Sequence, residues 1–137
     1  MTSPDHSELE AGPRAAAISK AMVQLMHEYT GRGPTRARTT LDADLIVCLL
    51  ADTLTKSERK LVDAGEERLV LEERGTFQRL MREEAIAMVE RVSGRTVTAF
   101  MSTNHIDPDL AIETFVLAPS PVEAPADPDA PRAGWPA

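Results

Sequence analysis

The sequence predicts an α+β fold of two layers, in which three helices lie on one face of a four-stranded antiparallel sheet. Apolar residues recur at helical spacing in two long segments, and four short β-rich segments lie between turn signals. Their order, α-β-β-α-α-β-β, allows two hairpins to share one sheet. The 137 residues fit one domain. We predict that it spans residues 14–118, between a flexible N-terminus (1–13) and a disordered tail (119–137).

The first helix is predicted to begin at Pro13, because a proline in the first helical turn has no hydrogen bond to lose. An apolar stripe follows, and Gly31 is a typical helix stop. The stripe comprises Ile18, Met22, Leu25, Met26 and Tyr29. After a turn at Gly33 and Pro34, residues 36–41 alternate polar with small or apolar side chains, which is typical of a strand with one solvated face.

The next strand, residues 45–50, is apolar on both faces. Such a strand needs cover on both sides, from helices on one and from a further layer or a second subunit on the other. This pattern therefore predicts a homodimer. Cys48 lies within the strand and is the only cysteine. We interpret it as a buried, inert thiol rather than a disulfide or zinc ligand.

Two helices follow this strand. Thr55 and Glu58 have the spacing of a capping box, which starts a short helix over residues 56–64. A longer helix over residues 66–92 ends at Gly94 and has an apolar stripe of Val70, Phe77, Met81, Ala85, Met88 and Val92. We interpret the charged residues of its first turns as a solvated face; they are Glu66, Glu67, Arg68, Glu72, Glu73 and Arg74.

The last two strands are predicted over residues 95–102 and 110–117, joined by a polar loop at 103–109 in which Pro108 cannot donate to a sheet ladder. The polar residues in and beside this loop are Ser102, Thr103, Asn104, His105, Asp107, Asp109 and Glu113. A histidine with carboxylates can form an acid–base pair or a metal site. The spacing matches no strong metal pattern, and Asn and Asp in loops ordinarily form turns. We therefore predict no metal and no cofactor.

Arg36 and Arg38 form a second candidate site. Alternate positions on a strand share one face, where two guanidiniums could hold a small anion through charge-assisted hydrogen bonds. The alternative is a solvated edge paired with Asp42, Asp44 or the acidic loop.

Charge and composition exclude other classes of function. Of the net charge of −7, residues 1–13 carry −3 and residues 119–137 carry −2, which leaves −2 for the domain. A nearly neutral domain with few aromatics lacks the basic surface that nucleic-acid binding needs. With no signal-peptide pattern and no apolar run of about 20 residues, we expect a cytoplasmic protein without a membrane span. Trp135, in a tail with six prolines, is interpreted as a stray aromatic rather than a short-motif anchor.

Several strings combine in a recognisable order. They are Ile18-Ser-Lys-Ala-Met22, Gly31-Arg-Gly-Pro34, Leu45-Ile-Val-Cys-Leu-Leu50, Leu54-Thr-x-x-Glu58, Gly94-Arg-Thr-Val97, Ser102-Thr-Asn-His105 and Pro108-Asp-Leu-Ala-Ile-Glu113-Thr-Phe-Val-Leu117. Together they resemble the MpsC-like family, a domain of unknown function named from a sodium-translocating, membrane-potential-generating system. The resemblance covers about residues 14–118. It marks positions whose roles it leaves unassigned, namely Arg36, Arg38, Asn104, His105, Pro108, Asp109 and Glu113.

Three functions follow as hypotheses. The resemblance implies a non-enzymatic accessory or regulatory component near an ion- or bicarbonate-handling membrane assembly, with a membrane protein as a possible partner. The first alternative is a small-anion sensor using Arg36 and Arg38. The second is an enzyme using His105 and Asp109.

Overall fold

The structure is a computed structural model that describes the backbone of residues 6–119 and the side chains of residues 12–119. The expectations for residues 1–5, for the tail from residue 120 and for Trp135 lie outside the described residues. The elements are α1 (His6–Thr30), β1 (Arg36–Asp42), β2 (Leu45–Ala51), α2 (Lys56–Asp63), α3 (Glu67–Ser93), β3 (Val97–His105) and β4 (Leu110–Leu117).

The four strands form one sheet in the order β1-β2-β4-β3, and every neighbouring pair is antiparallel. β1 and β2 form one hairpin and β3 and β4 the other, so β2 and β4 are the two central strands. The predicted α+β fold with an antiparallel four-stranded sheet is confirmed.

α1 begins at His6, so the predicted start at Pro13 is wrong, and Pro13 lies inside the helix. Residues 8–11 are Glu, Leu, Glu and Ala, which are strong helix formers. They favour helix on the N-terminal side of Pro13, which itself removes one backbone hydrogen bond from the helix. The helix ends as predicted at Gly31, which has a φ of 80° and donates its N–H to the carbonyl of His27 at 2.9 Å.

α2 begins at the predicted capping box. The Glu58 amide donates to Thr55 Oγ1 at 3.1 Å, and the Thr55 amide donates to Glu58 Oε1 at 2.8 Å. α3 ends at Gly94, whose left-handed φ of 69° suits glycine.

The core lies between the helices and one face of the sheet. α1 contributes the fully buried Ile18 and Met22, and the central strands contribute Ile46, Leu50 and Phe115. α3 closes the layer with Met81, Ala85 and Val89. α1 and α3 therefore cover one face of the sheet, whereas α2 packs on α3 rather than on the strands.

β3 is longer than predicted, since it runs through Thr103, Asn104 and His105. The loop comprises only residues 106–109, so the predicted loop at 103–109 is wrong at its start. Asn104 pairs with Ala111 in the ladder, and its side chain is bonded to Gln78 on α3. This tertiary contact stabilises a strand at residues whose types suggest a loop.

Candidate functional site

The sheet face opposite the helices, which we call the open face, is built from alternate residues of the four strands. The ladder register aligns these residues in four rows that cross the sheet. Read from β1 to β3, the rows are Asp42, Leu45, Val116, Ala99; then Thr40, Val47, Thr114, Met101; then Arg38, Leu49, Ile112, Thr103; and then Arg36, Ala51, Leu110, His105.

The centre of the open face is apolar. Ile112 on β4 is 40% exposed and Met101 on β3 is 52% exposed, while Val47 and Leu49 on β2 are partly exposed. The alternate residues of β2, Ile46, Cys48 and Leu50, are buried against the helices. β2 is therefore apolar on both faces, as predicted, but the described residues cover only one of them. A contiguous apolar area of this kind is typical of an interaction surface.

Arg36 and Arg38 lie side by side on the β1 edge of the open face, as their spacing predicts. Beside them is a hollow of about 600 Å³, whose apolar lining includes Leu49, Ala51 and Leu110. Arg38 is exposed and forms no ion pair within the described part of the chain. Two guanidiniums above an apolar floor could hold a small anion.

Glu113 is on the opposite, helix-facing side of β4 and is 1% exposed. Ser102 on β3 and, at 3.4 Å, Gln78 on α3 donate hydrogen bonds to its carboxyl group. Burial raises the pKa of Glu113 to about 7, against the opposing effects of these hydrogen bonds and of Arg74. Asn104 exchanges two hydrogen bonds with Gln78, at 2.9 and 3.0 Å. The half-buried Asn104 and the buried Glu113 thus share a polar cluster under α3.

Arg74 is buried in this layer, so its interpretation as part of a solvated helix face is wrong. Its Nε lies 3.6 Å from Oε2 of the buried Glu58, and it is close enough to Glu113 to lower the pKa of that carboxyl group. A signal was present in the sequence, since the apolar stripe of α3 passes from Val70 to Phe77 and position 74 falls on the same side of the helix.

The histidine–carboxylate loop does not assemble an acid–base pair. Asp109 Oδ1 accepts hydrogen bonds from the Thr53 amide and hydroxyl, and its Oδ2 accepts one from the Leu54 amide. His105 is exposed, and its Nδ1 lies 2.8 Å from the carbonyl oxygen of Pro108, which follows a cis peptide bond. No hydrogen bond joins His105 to Asp107 or Asp109 among the described residues. Asp109 therefore fixes the turn between β2 and α2.

The predicted site residues thus fall into three places. Arg36, Arg38 and His105 are on the open face, with His105 at the far edge from the arginines. Asn104 and Glu113 are on the helix-facing side of the sheet, and Asp109 is in a turn. Across residues 6–119, no cluster of three or more His, Cys, Asp or Glu residues could hold a metal ion, and no helix is long and apolar enough to cross a membrane.

The fold and the open face define a class of protein: a two-layer α+β domain in which the described residues cover only one face of the sheet. Comparison with known families gives the particular family. The family described as "Na+-translocating membrane potential-generating system (MpsC)" matches residues 10–119. The chain belongs to the MpsC family, which confirms the resemblance. No curated protein and no solved structure matches the chain.

Proposed function

We propose that this chain is a non-enzymatic accessory or regulatory component of a sodium-translocating, membrane-potential-generating system. In this proposal it acts in the cytoplasm as a homodimer joined through its open face, with a membrane protein of the same system as a further partner. The family's description supports the link to that system. The apolar centre of the open face supports a function through protein contact.

The area and composition of the open face support the proposed homodimer. Strands about 4.8 Å apart, with alternate residues about 6.8 Å apart, give its sixteen positions roughly 500 Å² of flat area per copy. Two copies would together bury about 1,000 Å² before side-chain relief is counted, which is about the smallest area expected of a biological interface. An apolar centre with a more polar rim is the usual anatomy of such interfaces. Here Ile112 lies at the centre, and Arg36, Asp42 and His105 lie at three corners.

Light scattering coupled to size exclusion tests this proposal. At tens of micromolar, the wild-type chain is expected at twice its mass of 14.9 kDa. Ile112→Lys is expected at the monomer mass, because the new charge would be buried in the interface. Leu80→Lys is the matched control, since Leu80 is 61% exposed but lies on α3. A monomeric wild type, or an Ile112→Lys variant that remains dimeric, would contradict the proposal.

A cellular experiment tests the accessory role. In source cells that lack this chain, membrane potential is measured with a voltage-sensitive dye while external sodium is varied. We expect the wild type and Leu80→Lys to restore the sodium-dependent potential and Ile112→Lys to fail. Equal rescue by the wild type and both variants would show that the function does not depend on the open face.

A second candidate function is the binding of a small anion at Arg36 and Arg38. The hollow beside the two arginines supports it. Thermal unfolding in the presence of bicarbonate, phosphate or acetate is expected to show stabilisation that Arg38→Ala removes. Arg79→Ala, which changes an exposed arginine on α3, is the control. No stabilisation by any of the three anions would exclude this function.

A further inference from the structure

We propose that the second copy packs on the open face about a two-fold axis that is parallel to the sheet and perpendicular to its strands, so that Arg36 of each copy faces Asp42 of the other. This inference rests on the proposed homodimer and adds its geometry. It comes from the position of charge on the open face, because a two-fold axis fixes which residue faces which.

The formal charges of the open face lie along one strand. Arg36 and Asp42 are at opposite ends of β1, with Arg38 and Thr40 between them. The facing positions of β2 and β4 carry no charged residue, and β3 contributes His105 at the corner across from Arg36. The charge pattern is therefore asymmetric, and different axes give different contacts.

An axis perpendicular to the strands places each strand opposite the same strand of the second copy and reverses the row order. Arg36 then faces Asp42, and the symmetry repeats this pair at the other end of β1. In the centre, Leu49 faces Val47, and Ile112 faces the small side chain of Thr114. Packed sheets lie about 10 Å apart, a gap that arginine and aspartate side chains bridge from opposite sides.

The other symmetric arrangements lack this complementarity. An axis parallel to the strands places β1 opposite β3, so Arg36 faces His105 and Asp42 faces Ala99. The two diagonal axes, which make the strands of one copy cross those of the other at right angles, place either Arg36 against Arg36 or Asp42 against Asp42. Like charges in contact disfavour an interface. Of the four arrangements, the perpendicular axis is therefore favoured.

Charge reversal tests the geometry. Arg36→Glu and Asp42→Lys are each expected to weaken the dimer at least about tenfold, because each turns two attractive pairs into two repulsive ones. The double variant Arg36→Glu/Asp42→Lys restores opposite charges and is expected within about threefold of the wild-type Kd. The Kd values are measured by sedimentation at low salt, since salt screens exposed charges. Arg79→Glu and Glu83→Lys, on the exposed face of α3, are the matched controls.

Mixing the two single variants gives a second readout that does not depend on the double variant. In a heterodimer of Arg36→Glu with Asp42→Lys, both facing pairs have opposite charges. Native mass spectrometry of an equal mixture is therefore expected to show heterodimer in excess of the statistical proportion that random pairing of the two variants gives.

The outcomes separate this inference from the proposed function. A monomeric wild type, or a dimer that survives Ile112→Lys, overturns the proposed homodimer and the geometry with it. The geometry alone is overturned by a different result. In that case Ile112→Lys disrupts the dimer, but the double variant dimerises no more tightly than the single variants, and the mixture shows no preference for the heterodimer.

Discussion

Arg74 on α3 lies 3.6 Å from Glu58 on α2, measured from Nε to Oε2, and each residue is 2% exposed. At this distance the two groups attract each other without a hydrogen bond, and Nε and Nη2 of Arg74 and Oε2 of Glu58 have no hydrogen-bond partner among the described residues. Glu58 also closes the capping box of α2 through its other oxygen. The pair therefore links the start of α2 to α3 through buried charge.

We expect Arg74→Met to destabilise the protein by about 3–5 kcal/mol, because it leaves Glu58 buried without its countercharge. Glu58→Gln keeps an oxygen for the Thr55 amide, so the double variant is expected to cost less than the sum of the single changes, with a coupling of about 1–3 kcal/mol. Urea unfolding measures each free energy. Arg68→Met is the control, since the side chain of Arg68 is 93% exposed beside Glu72, and it is expected to change stability by under about 0.5 kcal/mol. Strict additivity of the two single changes would contradict the pairing.

Glu113 is expected to make the protein less stable as pH rises. Its pKa of about 7 in the folded state is above the ordinary 4.5, so the folded state holds the proton more tightly than the unfolded state. The free energy of unfolding should therefore fall between pH 4.5 and 7 and level off above, by on the order of 3 kcal/mol. The groups that face Glu113 are Arg74 and Gln78 on α3, Ser102 on β3 and Cys48 on β2.

Glu113→Gln tests this pH dependence, because glutamine is neutral at every pH and keeps an acceptor oxygen. The variant should gain stability relative to the wild type as pH rises from 4.5 to 8, measured by urea unfolding at each pH. Glu72→Gln, at an exposed position, should show no such trend. A constant difference between Glu113→Gln and the wild type across this range would show that Glu113 does not titrate as expected.

The sequence was informative where local pattern decides the structure. The Thr55 and Glu58 spacing specifies a capping box within four residues, and the apolar run of β2 indicates a strand that is apolar on both faces. The alternation of β4 also places Glu113 on the same side as Phe115, so its burial was readable in principle. Position 74 falls on the apolar side of α3, so the burial of Arg74 was readable as well, but its pairing with Glu58 was not, because it depends on how α2 docks on α3, a contact that no periodicity records. The same holds for Asn104, whose strand conformation depends on Gln78, 26 residues away.

Asp109 is expected to contribute to stability rather than to chemistry. Its carboxylate accepts three hydrogen bonds from Thr53 and Leu54 and lies 3.6 Å from the Arg59 guanidinium. Asp109→Ala leaves two amides without acceptors, so we expect a loss of about 2–4 kcal/mol in the free energy of unfolding. Asp107→Ala, in the same loop and exposed, should change it by under about 0.5 kcal/mol. Equal effects of the two changes would show that the turn does not depend on the Asp109 carboxylate.

Cys48 is expected to be unreactive in the folded protein. It is fully buried, and burial raises the pKa of its thiol to about 11, with a further contribution from Glu113 and an opposing one from a hydrogen bond with Thr39. The thiolate is the reactive form, and a rise of two units from the ordinary value of 9.0 lowers its population at pH 8 by about a hundredfold. The rate of reaction with a thiol-specific disulfide reagent at pH 8 should therefore be at least about a hundredfold lower in buffer than in 6 M guanidinium chloride.

In a Cys48→Ala background, a cysteine introduced by Ala87→Cys on the exposed side of α3 should react at similar rates in buffer and in guanidinium chloride. Rapid labelling of native Cys48 would mean that the sheet separates from α1 often enough to expose the core.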